Sequence, residues 1–494
     1  MKKLLEDKFI LWTLSLLGIL SVFVLIIGSF FNSIDVDSSI YLVEMERIAE
    51  GYVPYETLHL NYPPLWFYIN IALKWLFHVP YGCYPFYLTI HWMYAIGCSL
   101  CLYYISWRWG ASKHVSIFTA WLYFITTHGA QGYGILLEIP SVFWGLLSIS
   151  LFIKWKGSHP AWQIVTGVLT CCSFLTKQFG AGFLLLMLWL IVTSTNTNKW
   201  KQVGFYLLGY ILPLLICWVY WRAHIYQSIL FNGYGSDVMD AYWGNEITFT
   251  SKLLRIWENL FVLMNRIVPI FYIGILLLPI IIKQGKWRET FMCLFGICGF
   301  LLQFFFVHGD YHYYQYMIPF ALLLIPIILS LELNKYIRYC IYIVIGVTIS
   351  LGLYSAYYNR VWKIYLHNGK QNYKNQWEMG KRVSQIVRDG ETIFIPHCGV
   401  CYLYYTANLY PSCMTEMGYG VGPMELDIEH AAKSVANADY VLHLTHEFMY
   451  DLFQGKDYEY FYNDSIQQYV NKFPSDTLDR VTVIHYLNRP QIEN

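Results

Sequence analysis

The sequence carries little charge. Only 13% of its 494 residues are Asp, Glu, Lys or Arg, against about 25% in ordinary soluble proteins. This deficit excludes a surface that is solvated by water alone and indicates lipid as part of the solvent. The formal net charge of +1 argues against nucleic acid as a partner. No internal repeat, low-complexity segment or long linker is evident.

Cysteine is present but scattered. Many of the twelve cysteines fall inside apolar runs, where cysteine behaves as a small buried hydrophobe. Cys398 and Cys401 form a CxxC pair with no second pair beside it, which is a weak signal for a metal or redox site. We therefore expect packing or a local disulfide there.

Long apolar runs dominate the chain instead. A helix that spans the hydrocarbon core needs about 20 apolar residues, with a lower limit of about 17. The first run resembles a signal peptide, but it is too long and lacks a small-residue cleavage site, so we expect it to remain as an anchor. Eleven runs are predicted to span the membrane: 9–31, 86–107, 114–130, 138–154, 161–177, 180–195, 203–221, 259–282, 289–307, 313–333 and 336–357.

The ambiguous run 65–79 decides the topology. It is short and contains Lys74 and His78. If it does not cross, the basic clusters between spans all fall on one side, as the positive-inside rule requires. We therefore predict an interfacial or half-buried helix here and an extracytoplasmic acidic loop over 32–85. The inner clusters are Lys2, Lys3 and Lys8; Arg108 and Lys113; Lys154 and Lys156; Lys199 and Lys201; Lys283, Lys286 and Arg288; and Lys335 and Arg338.

The character of the chain changes beyond Tyr358. An amphipathic helical segment at 372–390 precedes strand-like runs at 391–396, 438–444 and 482–487. This alternation predicts a small α/β domain, and the parity of the spans places it outside. The predicted fold class is an all-α polytopic membrane protein over 1–358 with a C-terminal extracytoplasmic α/β domain over 359–494.

Two acids, Asp35 and Asp37, lie just outside the first predicted span. Capping is the structural explanation, because Asp37 or Ser38 could cap the following helix, which Gly51 would end. Capping accounts for one acid. It does not explain why two prolines and two tyrosines hold the rest of the loop against the membrane. We therefore expect a function for at least one of the two.

Glu138 and Lys177 are charges at the outer mouths of predicted spans. A carboxylate there is costly unless it faces water, a partner or a site, although an interfacial acid can also snorkel. A single outer lysine does not violate a statistical bias, yet it suits a cationic rim around a lipid phosphate. Since the two charges are better tolerated facing each other than facing lipid, we predict a pair. Other basic residues on this side are Arg222, Arg255, Arg266 and His308.

A polar and aromatic segment opens another span on the outer face. His308, Asp310 and His312 fall within five residues, next to Tyr313. The tyrosines fit an aromatic belt at the membrane interface. Two histidines and an aspartate could ligate a metal, but their spacing matches no specific zinc or iron motif. We therefore assign no metal ligand and no cofactor, and a divalent cation stays open.

These elements together resemble the GT-C fold glycosyltransferases that use lipid-linked phosphosugars. Among them, the chain is similar to bacterial members of the protein O-mannosyltransferase and aminoarabinose transferase group, which are glycosyltransferase family 39-like. The resemblance covers almost the whole chain. Its carriers are "DVDSSIYLVEMERIAEGYVPY", "NYPPLWFYIN", Glu138, "LTKQFG", "HGDYHYYQYMIPF" and the α/β tail. Many relatives have Asp-Glu where this chain has Asp37 and Ser38, so a role for the second acid would fall to Asp35.

The resemblance implies transfer of a sugar from a polyprenyl phosphate to an acceptor hydroxyl, with inversion. A base must lie beside the acceptor, and fixed positive charge must meet the departing phosphate. The implied partners are membrane lipids, the donor and a glycan, lipid or protein acceptor, at the outer face of the cell membrane. The implied roles are Asp37, Asp35 and Glu138 in catalysis; Lys177, Arg222 and His308 at the phosphate; and Tyr55, Asp310, His312 and Tyr313 in substrate binding.

Two other functions share this span pattern. A transporter or lipid flippase usually has polar residues or Gly/Pro breaks at mid-span and often a two-fold repeat, whereas the unusual charges here lie at outer mouths. A glycan polymerase or ligase would share the donor and the membrane side. Such proteins tend to have a large outer loop late in the chain, and the segment 222–258 is of moderate length, so this alternative stays open.

The predicted topology is testable by labelling of single cysteines introduced within 40–60 and within 375–490. Both regions are expected to react with a membrane-impermeant reagent added outside intact cells, because the positive-inside rule places them there. Reaction of either region only after permeabilisation would contradict the assignment of sides.

Overall fold

The computed structural model describes residues 8–30, 34–58, 60, 62–129, 134–155, 159–194, 198–226, 248–262, 268–302, 311–354, 369–395, 402–412, 434–444, 468–478 and 482–487. Several residues of the sequence-based predictions, His308, Asp310, Arg266, Cys398 and Cys401, lie outside these ranges.

The first part of the chain is helical. A single turn of 3-10 helix, Gln178–Ala181, precedes one of the helices, and a second 3-10 segment, Tyr311–Tyr316, precedes another. The α-helices are α1 (Lys8–Ser29), α2 (Val36–Ala49), α3 (Leu65–Leu76), α4 (Tyr84–Arg108), α5 (Lys113–Gly129), α6 (Glu138–Trp155), α7 (Pro160–Thr176), α8 (Gly182–Thr193), α9 (Lys199–Tyr226), α10 (Phe249–Val262), α11 (Ile270–Leu276), α12 (Leu278–Lys283), α13 (Trp287–Leu301), α14 (Ile318–Leu329) and α15 (Lys335–Leu353).

Three of the described helices are long and apolar enough to cross a membrane: Tyr84–Arg108, Lys199–Arg222 and Lys335–Leu353. The described part of the chain also contains shorter apolar helices of 10–17 residues. One predicted span, 259–282, is not a single helix. Pro269 caps α11, and Pro279 lies at the start of α12, so the missing proline N–H groups divide the run into short helices. The number of eleven spans stays a prediction.

The run 65–79 folds as α3, a helix of 12 residues. At 1.5 Å per residue it is about 18 Å long, well short of a hydrocarbon core of about 30 Å. Its end exposes Trp75, Leu76 and Phe77, and the preceding Lys74 forms an ion pair with Glu46 of α2. The predicted short helix is therefore present, and its position at the membrane interface stays a prediction.

Small residues bring α7 and α9 into close contact. A Cβ atom at Gly167 would lie 2.1 Å from the carbonyl oxygen of Tyr206, and one at Gly209 would lie 2.1 Å from that of Ile164. A glycine of each helix thus lies in contact with the backbone of the other helix. Such contacts stabilise helix pairs where lipid removes the hydrophobic drive for association.

The end of the chain contains a five-stranded sheet, which we call the C-terminal α/β region together with its helices. Its elements are α16 (Gly369–Ile386), β1 (Thr392–Phe394), α17 (Tyr402–Thr406), β2 (Tyr410–Pro411), β3 (Tyr440–Leu444), β4 (Ser475–Thr477) and β5 (Thr482–Tyr486). The strand order is β2-β1-β3-β5-β4. Strand β1 pairs with β2 and β3 in parallel, and β5 pairs with β3 and β4 in antiparallel orientation. The predicted strand and helix runs are confirmed, whereas the domain boundary and the outer location stay predictions.

One apolar core joins this region to the acidic loop. Tyr41 and Met45 of α2 belong to the same buried cluster as Val383 of α16, Leu403 of α17 and Leu442 of β3. A second cluster is built by the helices from α4 onward. The acidic loop is therefore packed between helical and α/β parts rather than lying free over the membrane.

Replacing Gly167 by Ala is expected to destabilise the protein, because the new methyl group overlaps the backbone of α9. Overpacking of this kind typically costs about 1–3 kcal/mol. Thermal unfolding in detergent measures the effect.

Gly204→Ala is the matched control on α9, since a Cβ at Gly204 meets nothing within 4 Å. Alanine is a better helix former than glycine by about 1 kcal/mol, so this variant should be neutral or stabilised. Equal melting temperatures for the two variants would contradict the close packing of α7 and α9.

Candidate functional site

A buried ion pair joins the N-terminus of α6 to the C-terminus of α7. Glu138 is the first residue of α6 and fully buried, and the ammonium of Lys177, also buried, donates a short hydrogen bond to Glu138 Oε1. Lys177 is extended (φ −152°, ψ 136°) and ends α7. The second carboxylate oxygen, Glu138 Oε2, has no hydrogen-bond partner among the described residues. The pair thus keeps one acceptor atom unused.

Two serines hold the helices together one turn below this pair. The Ser141 hydroxyl donates to the Ser173 carbonyl at 2.8 Å, and the Ser173 hydroxyl donates to the Ser141 carbonyl at 2.7 Å. Ser141 follows Glu138 by three residues, and Ser173 precedes Lys177 by four, so both lie near the ion pair. These reciprocal bonds fix the separation of the helix ends that carry the charges.

Aromatic rings and a histidine enclose Lys177. Its ammonium lies 5.2 Å from the ring centroid of Tyr62 and 5.2 Å from that of Tyr313, within the range of cation–π attraction. His312 Nε2 is 3.7 Å from Glu138 Oε1. The 3-10 segment that carries His312 and Tyr313 therefore faces the ion pair, and four of the predicted site residues meet here.

The first acid of the loop caps α2. Asp35 is extended (φ −78°, ψ 171°) and accepts hydrogen bonds from the Ser38 backbone N–H and the Ser38 hydroxyl, both at 2.8 Å. The prediction that Asp37 or Ser38 caps this helix is wrong, because the helix begins at Val36 and Asp37 lies in its first turn. Gly51, with φ +108°, follows its end as predicted.

Helix α2, which we call the acidic helix, is hydrogen-bonded to the segment that leads into Glu138. The backbone N–H of Ile135 donates to the Ser38 hydroxyl at 2.7 Å. A Cβ at Gly134 would lie 1.8 Å from Asp35 Oδ2, so only glycine permits this approach. Asp35 and Glu138 are thus attached to the same short stretch of chain.

Electrostatic interactions link the acids of the loop and of the ion pair. Burial and the charge of Asp37 raise the pKa of Asp35 to about 6. Burial, the neighbouring Tyr62 and the charges of Asp37 and Glu138 raise the pKa of Tyr41 well above its usual value. Tyr41 of α2 is therefore close enough to both Asp37 and Glu138 for their charges to act on its hydroxyl.

The remaining predicted residues lie around this cluster or outside the described ranges. The Tyr55 hydroxyl donates to the Tyr62 carbonyl at 2.7 Å, although Tyr55 has a left-handed φ of 68° that bulky residues rarely adopt. Arg222 has an exposed side chain at a kink in α9 and forms no ion pair with the cluster in the described part of the chain. The roles assigned to all these residues, including His308 and Asp310, stay predictions.

Two contributors were not predicted. The ring of Tyr62 faces the ammonium of Lys177. Tyr41 packs edge-on against Tyr62, with 5.1 Å between the ring centroids. The position of Tyr62 directly before Pro63 and Pro64 could have indicated it, because two prolines fix the backbone next to its ring. Tyr41 has no comparable signal, since it occupies an ordinary buried position of a helix.

No group of three or more His, Cys, Asp or Glu side chains within the described ranges is arranged to hold a metal ion. The described part of the site instead contains the Glu138–Lys177 ion pair, with His312 and two tyrosines beside it. Helix α2, which carries Asp37, lies nearby.

The fold is similar to that of the glycosyltransferase ArnT, which confirms the resemblance at the level of fold. The chain is similar to ArnT from Cupriavidus metallidurans in the apo state, with a TM-score of 0.56 and 11% identity over 95% of this chain and 97% of ArnT. The same protein bound to undecaprenyl phosphate gives a TM-score of 0.57 and 12% identity over 96% and 99%.

A more distant likeness is to the Archaeoglobus fulgidus oligosaccharyltransferase in a complex with zinc and sulfate. The TM-score is 0.50 and the identity 12%, over 86% of this chain and 68% of that one. No protein-family model matches the chain, and no curated protein matches its sequence. The likeness therefore concerns the fold alone.

The pKa of Asp35 predicts a stability difference that depends on pH. Because the folded protein binds this proton more tightly than the unfolded chain, the contribution of Asp35 to stability falls as pH rises from about 4, the ordinary pKa, towards 6. Asparagine caps helices as well as aspartate but cannot ionise. The melting temperature of Asp35→Asn, relative to the unaltered protein, should therefore rise between pH 4 and pH 6 and stay constant above.

Asp37→Asn is the matched control. Removing this neighbouring charge lowers the pKa of Asp35 towards its ordinary value, so the pH range of the effect should move to lower pH. A pH-independent difference between Asp35→Asn and the unaltered protein would contradict the buried, charge-coupled state of Asp35.

Proposed function

We propose that the protein is an integral membrane glycosyltransferase that moves a sugar from a polyprenyl-phosphate donor to an acceptor hydroxyl at the extracytoplasmic face, with inversion at the anomeric carbon. The ion pair Glu138–Lys177, with its unused carboxylate oxygen beside an aspartate helix, supports this function. So does the fold, which is shared with an ArnT structure that contains undecaprenyl phosphate.

Lys177 is suited to the donor phosphate. Its ammonium is fixed by Glu138 and by two tyrosine rings, so little reorganisation is needed when an anion arrives. A buried lysine without a partner would be costly, and the carboxylate offsets that cost in the absence of donor. The phosphate would share the ammonium with Glu138, and the adjacent His312 would add a further donor.

Asp37 is suited to the acceptor. It lies in the first turn of α2, while both carboxylate oxygens of Asp35 accept hydrogen bonds from Ser38. In the reaction, Asp37 takes the proton of the acceptor hydroxyl while the acceptor oxygen forms a bond to the anomeric carbon. The bond from that carbon to the phosphate oxygen breaks, and its electron pair leaves with the polyprenyl phosphate, which faces Lys177. Glu138 Oε2 can accept a hydrogen bond from a sugar or acceptor hydroxyl.

The reaction is tested first by mass spectrometry of lipid-linked glycans from cells with and without the protein. If the protein is a glycosyltransferase, cells without it should accumulate the donor and lack the product. A transporter or flippase would change the side of a lipid-linked sugar without changing its chemical identity, and a polymerase or ligase would change the length or attachment of a whole glycan. Either outcome would overturn the proposal and identify the alternative.

The residue roles are then tested with the purified protein and the donor so identified. Lys177→Ala is expected to raise KM for the donor about 10- to 100-fold, because a hydrogen bond to a charged group contributes about 1.5–3 kcal/mol. Lys177→Arg should restore part of the affinity, since charge is kept and geometry changes. Asp37→Asn should lower kcat about 10²- to 10⁴-fold, as expected for loss of a general base. Glu138→Gln should lower kcat more than it changes KM.

Lys113→Ala is the matched lysine control, because Lys113 is exposed at the start of α5. It should leave both constants unchanged. Melting temperatures identify variants that lose activity by unfolding, which is a real risk where one partner of a buried pair is removed. Unchanged donor dependence in a folded Lys177→Ala protein would reduce this lysine to an interfacial anchor. Near-normal transfer by Asp37→Asn would exclude Asp37 as the base.

A further inference from the structure

A side chain of the C-terminal α/β region holds the backbone next to the two aspartates. The backbone N–H of Ile34 donates to Gln376 Oε1 at 2.8 Å, and Gln376 Nε2 donates to the Ile34 carbonyl at 3.0 Å. The primary amide of Gln376 thus satisfies both polar groups of a buried residue directly before the cap of α2. Gln376 lies on α16, 342 residues further along the chain.

The other end of α2 is held by the same region. Arg47 is fully buried, and its Nη2 donates to Asn408 Oδ1 at 2.9 Å and to the Leu409 carbonyl at 3.1 Å. Its guanidinium also lies 3.9 Å from the ring centroid of Tyr410. Hydrogen bonds to charged groups in buried sites are among the strong ones, so this contact is well suited to fix a helix end.

Apolar packing fills the space between these two attachments. Tyr405 of α17 packs against Trp377 of α16 at 6.1 Å and against Tyr81 of the first outer loop at 5.5 Å between ring centroids. The acidic helix is therefore held two residues before its start and in its last turn by one structural unit, with which it also shares a buried apolar core.

We infer that the C-terminal α/β region is the positioning element of the acidic helix, and that Gln376 is a positioning residue that sets the location of Asp35 and Asp37 relative to Glu138 and Lys177. This inference rests on the proposed function for its catalytic consequence. The ion pair is fixed by α6 and α7. Helix α2 meets the segment before α6 at Ser38, and the hydrogen bonds of Gln376 hold its backbone on the other side of Asp35. The two amide hydrogen bonds act on Ile34, the residue directly before Asp35.

A positioning role predicts a specific kinetic pattern. Displacing a catalytic group by about 1 Å can cost about 100-fold in rate. Gln376→Met keeps the length of the side chain and removes both hydrogen bonds. It should lower kcat about 10- to 100-fold and leave KM for the donor unchanged, because Lys177 is not displaced. Lys381→Ala, at an exposed position of the same helix, should leave both constants unchanged.

Hydrogen exchange measures the positional claim without any reaction. Exchange of backbone amides in a peptide that begins several residues before Ile34 and includes its N–H should be faster in Gln376→Met than in the unaltered protein, since the Ile34 N–H loses its acceptor. Peptides around Glu138 should exchange as before. Asn408→Gly provides a second variant at the other attachment: it removes an acceptor of Arg47 and tolerates the left-handed backbone (φ 52°) found there. It should likewise accelerate exchange in α2.

Three outcomes decide the inference. Faster exchange at Ile34 together with a lower kcat at constant KM supports it. Unchanged exchange at Ile34 in a folded Gln376→Met protein, or unchanged kcat despite faster exchange, overturns it. If the unaltered protein transfers no sugar, the proposed function fails by itself, and the exchange measurements on both variants still decide whether the α/β region positions the acidic helix.

Discussion

The structure depends on the placement of two opposite charges in a low-dielectric interior. Glu138 and Lys177 are both buried, and removal of either partner from such a pair typically costs about 3–5 kcal/mol. The helix ends that carry them must therefore stay in register. Ser141 and Ser173 supply this register by reciprocal hydrogen bonds, and the glycine contacts of α7 with α9 hold the next helix against them. The contacts that pack α6, α7 and α9 together therefore also set the distance between Glu138 and Lys177.

The two aspartates of the first loop have different surroundings. Asp35 uses its oxygens to cap α2 and is pressed against Gly134, so its ionisation is unfavourable. Asp37 lies in the first turn, where the helix dipole favours a negative charge. Asp35 therefore shapes the start of α2, and the charge of Asp37 acts on it through their mutual repulsion.

Residues from distant parts of the chain complete the acidic side of the site. The loop between the first apolar helices contributes Asp37, the hydrogen bonds of Gln376 and Arg47 attach α2 to the C-terminal α/β region, and the apolar core continues through both. A polar loop on its own would have a mobile backbone and a high entropy cost of ordering. Packing the loop and its helix α2 against the C-terminal α/β region lowers this mobility and fixes the position of Asp37 in the first turn of α2.

Local patterns in the sequence determined the helical positions, the strand runs near the C-terminus, and the presence of charges at helix ends that needed partners. The pairing of Glu138 with Lys177 could be argued from the cost of leaving either one in lipid. Only the tertiary structure decided that Asp35 rather than Asp37 caps α2, that Tyr41 and Tyr62 belong to the site, and that prolines divide the run 259–282. It also brought Gln376 to Ile34. The physical reason is range: periodicity and capping act within a few residues, whereas a hydrogen bond across 342 residues leaves no pattern near either partner.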